Sequence, residues 1–354
     1  MTNNKENYFF LIALILSVLA LLKLYSPFLM NLLIAFLLFL ATQGIYRAIF
    51  IKLKSNIFSS LIVTLSLLIG CFMPIIYVMI NLAELATNLD LLKLQNFITY
   101  IKDQWIVLSH NLYEYLPDFV LKELNQWILK VDTINWAEIA KKGLSIFAQA
   151  GKNSLFFLSD TFFIILFLFF SYYYSNVLGK YLLNLIPLEK KQVESLYDEV
   201  SGVISVVFYS SIVSMVIQGA LFGFLMFFYG YNALLFGVFY GFASLIPVIG
   251  GTLVWLPVVL YELYLGNITN AIVIILYSIL IIATLADNII KPFLIAFINR
   301  VLIKTPVKIN EILIFFAIFA GITTFGFWGI VLGPAITALF IALLRVYQNI
   351  YQKS

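Results

Sequence analysis

The sequence predicts an all-α, polytopic membrane protein with about eight to ten membrane helices or half-helices and one helical extramembrane insert. Two observations carry this prediction. First, 63% of the 354 residues are hydrophobic and only 11% are charged, whereas a soluble domain has about 25% charged residues. Second, several long stretches contain no Asp, Glu, Lys or Arg: residues 24–46, 55–83, 161–179, 200–261, 263–286 and 312–344. A membrane helix needs about 20 apolar residues, so these stretches are long enough to cross a bilayer.

Helices rather than β-strands are expected in these stretches. A strand of a membrane barrel alternates apolar and polar residues over about ten positions. The segment Phe162–Phe170 reads FFIILFLFF and does not alternate. Because lipid accepts only helices and closed barrels, the continuous apolar pattern favours helices.

The helical segments can be placed in chain order from the apolar runs and their breaks. They are 8–25, 28–46, 57–80, 153–176, 204–229, 232–247, 250–265, 269–290, 309–325 and 328–345. The first has the length of a signal peptide, but no small-residue cleavage motif follows Leu22. The next apolar run begins at Phe28, so we expect the first segment to be retained as a membrane helix.

Basic residues predict the orientation of the chain. They cluster in alternate gaps between the helices and near the C-terminus: Arg47, Lys52, Lys54, Lys180, Lys190, Lys191, Lys291, Arg300, Lys304, Lys308, Arg345 and Lys353. The gaps at 26–27, 230–231 and 266–268 contain no Lys or Arg. By the positive-inside rule, both termini are expected in the cytoplasm of a bacterial inner membrane.

Residues 81–150 differ from the membrane regions before and after them, 1–80 and 151–354. They contain charges of both signs, and leucines recur at helical spacing from Leu82 to Leu92. We expect an extracytoplasmic helical insert. Its helices either pack on each other and on the membrane rim, or form a lid that captures substrate.

A second polar stretch, residues 187–203, follows the fourth membrane helix. The apolar residues of this stretch are Leu188, Val193, Leu196, Tyr197 and Val200. This pattern predicts an amphipathic segment on the cytoplasmic side, either a short interfacial helix or a solvated loop helix.

Two apolar regions are interrupted by glycine and proline. Pro247, Gly250 and Gly251 break the region 234–257, and a further group of glycines breaks 309–344. Within the first region, Gly237 and Gly241 form a pair of small residues that permits close approach of helices. Short, broken hydrophobic segments are typical of transporter binding sites, because unwound backbone can coordinate a solute. The alternative is a pair of tight helical hairpins that serve only packing.

Polar residues within the apolar segments are the other candidates for a transport pathway. Asp160 lies in the fourth helix, where a charge is costly and therefore usually functional. The alternative is that it lies two turns from the outer surface, within reach of water. Asp287 and Lys291 can pair across four residues, or can simply extend to the membrane interface. Glu262 ends one apolar run and Glu311 begins another, so each fits an interface position. Ser211, Ser214 and Gln218 share one face of the fifth helix, where they border a polar path or hold helices together.

Enzymatic and cofactor-binding motifs are not apparent. The sequence has no Walker A, HExxH or GxSxG pattern, and it contains one cysteine, Cys71, and one histidine, His110. We therefore predict no catalytic residues, no cofactor and no metal site. The net charge of +4 is explained by membrane orientation, so no nucleic-acid partner is predicted.

Three motifs resemble the autoinducer-2 exporter family of predicted permeases: GFASLIPVIGG at 241–251, DNIIKP at 287–292, and GFWGIVLGPAITAL at 326–339. The resemblance extends over the whole chain and adds Asn288 and Pro292 to the candidate pathway residues. It implies transport, with the lipid bilayer and a small molecule or ion as partners, and assembly as a homo-oligomer. Many members have a His-Pro pair where this sequence has Asn310-Glu311, so a mechanism that needs that histidine is not expected here.

Three functions are compatible with these observations. The first is a secondary permease for a small organic solute, with autoinducer-2 as the candidate that the resemblance implies. The second is a sodium or lithium/proton antiporter, which Asp160, Asp287 and Glu311 favour. The third is a non-transporting membrane scaffold that uses residues 81–150 as a binding module.

Overall fold

The computed structural model describes residues 4–88, 91–112, 154–177, 179, 181, 190–246, 249–290, 292–293, 311–326 and 329–351. All regular elements in these residues are helical, which confirms the predicted fold class. The α-helices are α1 (Asn4–Tyr25), α2 (Leu29–Leu53), α3 (Asn56–Leu67), α4 (Met73–Asn88), α5 (Leu91–Leu112), α6 (Ser154–Tyr173), α7 (Lys190–Phe228), α8 (Ala233–Ala243), α9 (Thr252–Tyr264), α10 (Ile268–Leu276), α11 (Glu311–Phe325) and α12 (Gly329–Tyr351). Ser26–Phe28 forms a 3₁₀ turn, and Leu68–Phe72 and Tyr277–Ile290 wind as π-helix.

Five helical segments of the described chain are long and apolar enough to cross a membrane. They are Tyr8–Leu53, which contains α1 and α2, and Asn56–Asn81, Phe156–Tyr173, Val200–Phe228 and Ile268–Leu285. Four shorter apolar helices are Ala233–Ala243, Thr252–Tyr264, Phe315–Phe325 and Leu332–Arg345. The shorter helices fall in the two regions where glycine and proline interrupt the apolar sequence, so those breaks correctly predicted where long helices end.

The structure joins two segments that the sequence separates. The amphipathic stretch near 190–203 and the fifth membrane helix form one continuous helix, α7. No proline occurs between Lys190 and Phe228, so nothing removes a backbone hydrogen bond or forces a kink in this segment. Similarly, α2 continues beyond the predicted end at residue 46 to Leu53, where Lys54 adopts a left-handed conformation with φ 52°.

The chain divides into two compact units, each with its own core. The first contains the described residues of Met1–Phe72, Phe156–Ser210 and Ile295–Ser354. Its core is formed by α2, α3, α6, the first part of α7 and α12, with Ile164, Leu168 and Tyr172 fully buried. Tyr172 stacks on Tyr46 at 5.0 Å between ring centroids and hydrogen-bonds to Thr42. In lipid, such close packing and interhelical hydrogen bonds hold helices together.

The helix α1 differs from the other helices of the first unit because the side chains of Tyr8–Tyr25 are exposed on every side. A helix that is apolar all round is suited to lipid rather than water. This agrees with the prediction that the first apolar segment is a membrane helix.

The second unit contains the described residues of Met73–Leu155 and Ser211–Leu294. Phe222, Met226, Ile274 and Ile282 are fully buried in its core, which involves α7, α8, α9 and α10. The amphipathic helix α5 lies against the end of α9, where the Tyr100 hydroxyl donates a hydrogen bond to the carbonyl of Leu263 at 2.9 Å. Of the predicted insert, residues 113–150 lie outside the described part of the chain.

Candidate functional site

The first unit contains a polar cavity of about 120 Å³ between α2 and α7. It is lined by Ala41, Gln43, Gly44, Arg47, Tyr197, Asp198, Ser201, Gly202, Ser205 and Tyr209. A concave site with a few convergent polar groups is the usual form of a small-molecule site. We therefore take this cavity as the candidate functional site.

Three side chains of α7 fix its position along α2. Ser201 and Ser205 donate hydrogen bonds to the carbonyls of Leu40 and Ala41 at 3.0 and 2.9 Å. Tyr197, one turn earlier, donates to the side-chain oxygen of Gln43. Because these residues recur at intervals of four, they lie on one face of α7 and face the same helix. These hydrogen bonds form the polar wall of the cavity.

The cavity has an exposed end and a buried end. Arg47 and Asp198 are exposed, whereas Ser205 and Gly202 are buried. The hydroxyl oxygen of Tyr209 is also buried, and no described residue forms a hydrogen bond with it. The charged side chains therefore lie in solvent at one end, and uncharged hydroxyl groups line the other.

Tyr197 remains a hydrogen-bond donor at neutral pH. Burial raises the pKa of Tyr197 to about 12, and the nearby Asp198 carboxylate adds to this effect while the Arg47 guanidinium opposes it. Because this pKa lies far above neutrality, the phenol keeps its proton and its hydrogen bond to Gln43.

Sequence reasoning missed this cavity, although a signal was present. The residues Tyr197, Ser201, Ser205 and Tyr209 repeat every four positions. The sequence analysis identified a different polar face of α7, which lies further along the helix, in the second unit. It contains Ser211, Ser214 and Gln218. There Ser211 and Ser214 are half-buried and Gln218 is buried.

Asp160 is half-buried in α6 and has a specific partner. The side-chain amide of Asn31 in α2 donates a hydrogen bond to the Asp160 carboxylate at 3.1 Å. Asn31 is itself 4% exposed. A polar pair between two apolar helices is typical of helix association and of ion or proton pathways, so both readings stay open for Asp160. Asn31 stands out as an amide in an apolar helix but was not singled out from sequence.

Glycines of α7 and α8 permit these two helices to pack very closely in the second unit. A Cβ on Gly219 of α7 would lie 2.5 Å from the carbonyl oxygen of Gly237 in α8, and one on Gly237 would lie 2.8 Å from that of Gly219. The proposed close approach at Gly237 and Gly241 is therefore present. Gly219 and Gly223 of α7 pack against this pair. They form a second pair at a spacing of four, which the sequence analysis did not identify.

The connection between α8 and α9 is the break that the sequence places at residues 247–251. A Cβ on Gly250 would collide with the carbonyl oxygens of Ala243 and Ile246, and one on Gly251 would lie 2.5 Å from the hydroxyl of Tyr240. Helices α11 and α12 also pack through glycines, because a Cβ on Gly321 would collide with the backbone of Gly329, and a Cβ on Gly329 with that of Gly321. Both breaks therefore have a packing role, which was one of the two alternatives.

The remaining predicted site residues cannot be assembled into a site. Pro247 and Lys291 lie outside the described residues. Asp287 and Asn288 lie in the π-helical stretch Tyr277–Ile290, and Glu311 begins α11, but the side chains of these three are outside the described part. Pro292 is described and exposed.

A buried carboxylate in the second unit was interpreted from sequence as an interface residue. Glu262 of α9 is 3% exposed and accepts hydrogen bonds from Tyr231, from Asn267 at 2.9 Å and from Asn270 at 3.0 Å. Burial and the hydrogen bond to Glu262 raise the pKa of Tyr231, which therefore stays protonated. This Glu262 cluster ties the α7–α8 turn to the α9–α10 turn.

Comparisons with known proteins agree with the sequence resemblance. The family model described as "AI-2E family transporter" matches residues 8–349. A "Putative transport protein" of Helicobacter pylori strain J99 is 38% identical over 98% of this chain and 97% of its own length. The corresponding protein of H. pylori strain 26695 is 37% identical over the same shares. A "Putative transport protein" of Aquifex aeolicus is 26% identical over 48% of this chain and 46% of its own length.

Proposed function

We propose that this chain, which belongs to the AI-2E family of transporters, moves a small solute across the bacterial inner membrane as a secondary permease. Autoinducer-2 is the candidate solute. The observation that carries the proposal is the polar cavity between α2 and α7, whose hydroxyl and amide groups suit a polar solute. The absence of a Walker A motif from the sequence favours a mechanism that does not hydrolyse ATP directly.

The proposed orientation places both termini and the exposed end of the cavity on the cytoplasmic side. Arg47 at this end belongs to a basic gap of the sequence, which supports the assignment. Cysteines introduced at Asn88 and Asn125 in a Cys71→Ser background test it. They should react with an impermeant thiol reagent in intact cells, and labelling only after lysis would reverse the orientation.

The direct test of the proposed function uses purified protein in liposomes. Wild-type protein should release trapped autoinducer-2 faster than protein-free liposomes, and its flux should not require ATP. A folded protein that carries neither solute nor ions would favour the scaffold instead. Homo-oligomeric assembly, which the family resemblance implies, is measured in the same preparation by light scattering.

A cation/proton antiporter is the second candidate, and the Asn31–Asp160 pair favours it. An antiporter needs a carboxylate that binds a cation and a proton in turn, and Asp160 is a half-buried carboxylate among apolar helices. Asp160→Asn removes the charge and keeps the shape. If wild-type protein drives sodium-linked proton movement and Asp160→Asn does not, the antiporter is the better account. Solute flux in both proteins without ion movement supports the permease.

A further inference from the structure

Two side chains of opposite charge line the exposed end of the cavity in the first unit. They are Arg47 of α2 and Asp198 of α7. The Tyr197 hydroxyl lies within electrostatic reach of both charges. Within the described part of the chain, however, neither of the two forms an ion pair, with the other or with a third residue. The exposed end therefore presents a positive and a negative group that are each available to a ligand.

The residue one turn before Arg47 adds hydrogen-bond donors on the positive side. Gln43 lies on the same face of α2 and also lines the cavity. Its side-chain oxygen accepts the hydrogen bond from Tyr197. A glutamine amide also has two N–H donors, and those of Gln43 have no partner among the described residues. An arginine and an amide N–H group on one helix face suit the oxygens of a phosphate.

The same face of α2 becomes apolar with distance from the charged end. Leu33 and Phe36 precede Gln43 and Arg47 at helical spacing, and they are 38% and 46% exposed. These residues belong to the apolar segment Tyr8–Leu53, which is long enough to cross a membrane. Lipid head groups lie at the ends of such a segment, and acyl chains lie along its middle. A charged end that continues into an exposed apolar face therefore suits a phospholipid better than a water-soluble ion.

The two charges also indicate which head group fits. A purely anionic head group would place its charge near the Asp198 carboxylate, and like charges repel. A head group with both a phosphate and an ammonium can place the first against Arg47 and the second against Asp198. A primary ammonium donates hydrogen bonds to a carboxylate, whereas a trimethylated one has no N–H to donate.

From these observations we infer that Gln43, Arg47 and Asp198 bind the head group of phosphatidylethanolamine, with its acyl chains along Leu33 and Phe36. The inference goes beyond the proposed function, because a bound lipid at the exposed end of the cavity does not require any transport through it.

The test measures the binding of single lipids to purified full-length protein by native mass spectrometry. The probes are phosphatidylethanolamine, phosphatidylglycerol and phosphatidylcholine with equal acyl chains. Wild-type protein should bind phosphatidylethanolamine about fivefold more tightly than phosphatidylglycerol, the range expected for an exposed ion pair. Phosphatidylcholine should bind more weakly than phosphatidylethanolamine. Equal binding of phosphatidylethanolamine and either of the other lipids would overturn the inference.

Two variants test the assigned roles of the charges. Asp198→Asn should abolish the preference for phosphatidylethanolamine over phosphatidylglycerol, because it removes both the partner of the ammonium and the repulsion of the anion. Arg47→Gln should weaken the binding of both lipids, because both contain a phosphate. The ratio of two lipids is measured in one protein sample, so a partial loss of folded protein does not change it. An unchanged ratio in Asp198→Asn would overturn the assignment.

Matched controls remove a charge of the same sign outside the cavity. Lys52→Gln changes an exposed base of α2, and Asp103→Asn changes an exposed acid of α5. Both should keep the wild-type affinities and the wild-type ratio. If Lys52→Gln weakens binding as much as Arg47→Gln, the binding reflects general surface charge and the site is rejected.

Glycerophosphoethanolamine, which has the same head group without acyl chains, distinguishes a lipid from a free zwitterion. It should bind at least about tenfold more weakly than phosphatidylethanolamine, because it buries no apolar area against Leu33 and Phe36. Equal binding would assign the site to a free solute and overturn the lipid. Head-group preference without flux in liposomes would retain this site and reject the permease. Flux in protein without any preference would retain the permease and reject this site.

Discussion

The two units each contain a polar cluster among apolar helices, and the clusters differ in whether open space remains beside their hydrogen bonds. In the second unit both oxygens of Glu262 accept hydrogen bonds, from Tyr231 on one side and from Asn267 and Asn270 on the other. In the first unit Ser201 and Ser205 bond to carbonyls of α2, and a polar cavity of about 120 Å³ remains beside these hydrogen bonds. A closed, fully hydrogen-bonded cluster fixes the turns that it joins. A polar cavity, in contrast, has room for a small solute. Changes in the second unit should therefore affect stability, and changes in the cavity should affect binding.

The contrast extends to how closely the helices pack. In the second unit α7 and α8 meet through glycines with no room for a Cβ. In the first unit α7 meets α2 through hydroxyl-to-carbonyl hydrogen bonds, and space remains beside them. The same long helix thus supplies a tight contact in one unit and a lined cavity in the other.

The largest effect is expected for Gly250→Ala. A Cβ at this position would collide with the carbonyl oxygens of Ala243 and Ile246, and backbone atoms cannot move aside cheaply. Overpacking of this kind should destabilise the fold by about 3 kcal/mol, seen as a lower thermal unfolding midpoint and loss of monodisperse protein in detergent. Gly70→Ala is the matched control, because a Cβ at Gly70 meets nothing within 4 Å. A well-folded Gly250→Ala protein that has lost flux would instead indicate a role in the transport pathway.

A smaller but clear loss of stability is expected for Glu262→Ala. The substitution leaves the hydrogen-bond donors of Tyr231, Asn267 and Asn270 without their acceptor, which should cost about 2 kcal/mol. Thermal unfolding in detergent measures the effect. Glu194→Ala serves as the control, since Glu194 is an exposed partner of Lys190 at 3.9 Å and such surface pairs contribute little. Equal midpoints for the two variants would contradict the view that the Glu262 cluster holds the turns.

The sequence predicted the class of fold and the position of most helices, because hydrophobic runs of membrane length reflect the solvent directly. It also indicated the close packing at Gly237 and Gly241, since small residues at a spacing of four have few other uses in a membrane helix. These features depend on composition and local spacing alone. The continuous helix α7 was harder to predict, because the amphipathic turn at its start has the same composition as a separate interfacial helix.

The cavity could not be predicted, because it depends on which helices become neighbours. Ser201, Ser205 and Tyr209 are separated from Ala41 and Gln43 by more than 150 positions, as the hydrogen bond between Tyr197 and Gln43 shows with a separation of 154. Asn31 and Asp160 are likewise 129 positions apart. A single sequence shows that each of these residues is polar in an apolar setting. It does not show which of them meet.

The smallest stability effect is expected for Ser205→Ala. The lost hydrogen bond to the carbonyl of Ala41 should cost about 0.6 kcal/mol, the average for polar contacts between membrane helices. Autoinducer-2 flux in liposomes should fall clearly, because Ser205 also lines the cavity. The control Ser171→Ala removes a hydrogen bond within α6, from Ser171 to Phe167, and should change neither quantity. Ser205→Ala protein with normal flux and a large loss of stability would show that Ser205 serves helix packing and not transport.

Filling the cavity is the most direct test that the solute passes through it. Ser201→Trp puts an indole into the cavity, and Ser66→Trp puts the same group on an exposed position of α3 as a control. Autoinducer-2 flux is measured in liposomes with equal amounts of folded wild-type and variant protein. We predict that Ser201→Trp lowers the flux about tenfold or more, because the bulky side chain occupies the site, while Ser66→Trp transports like wild type. Undiminished flux through folded Ser201→Trp protein would contradict the assignment of this cavity to the transport route.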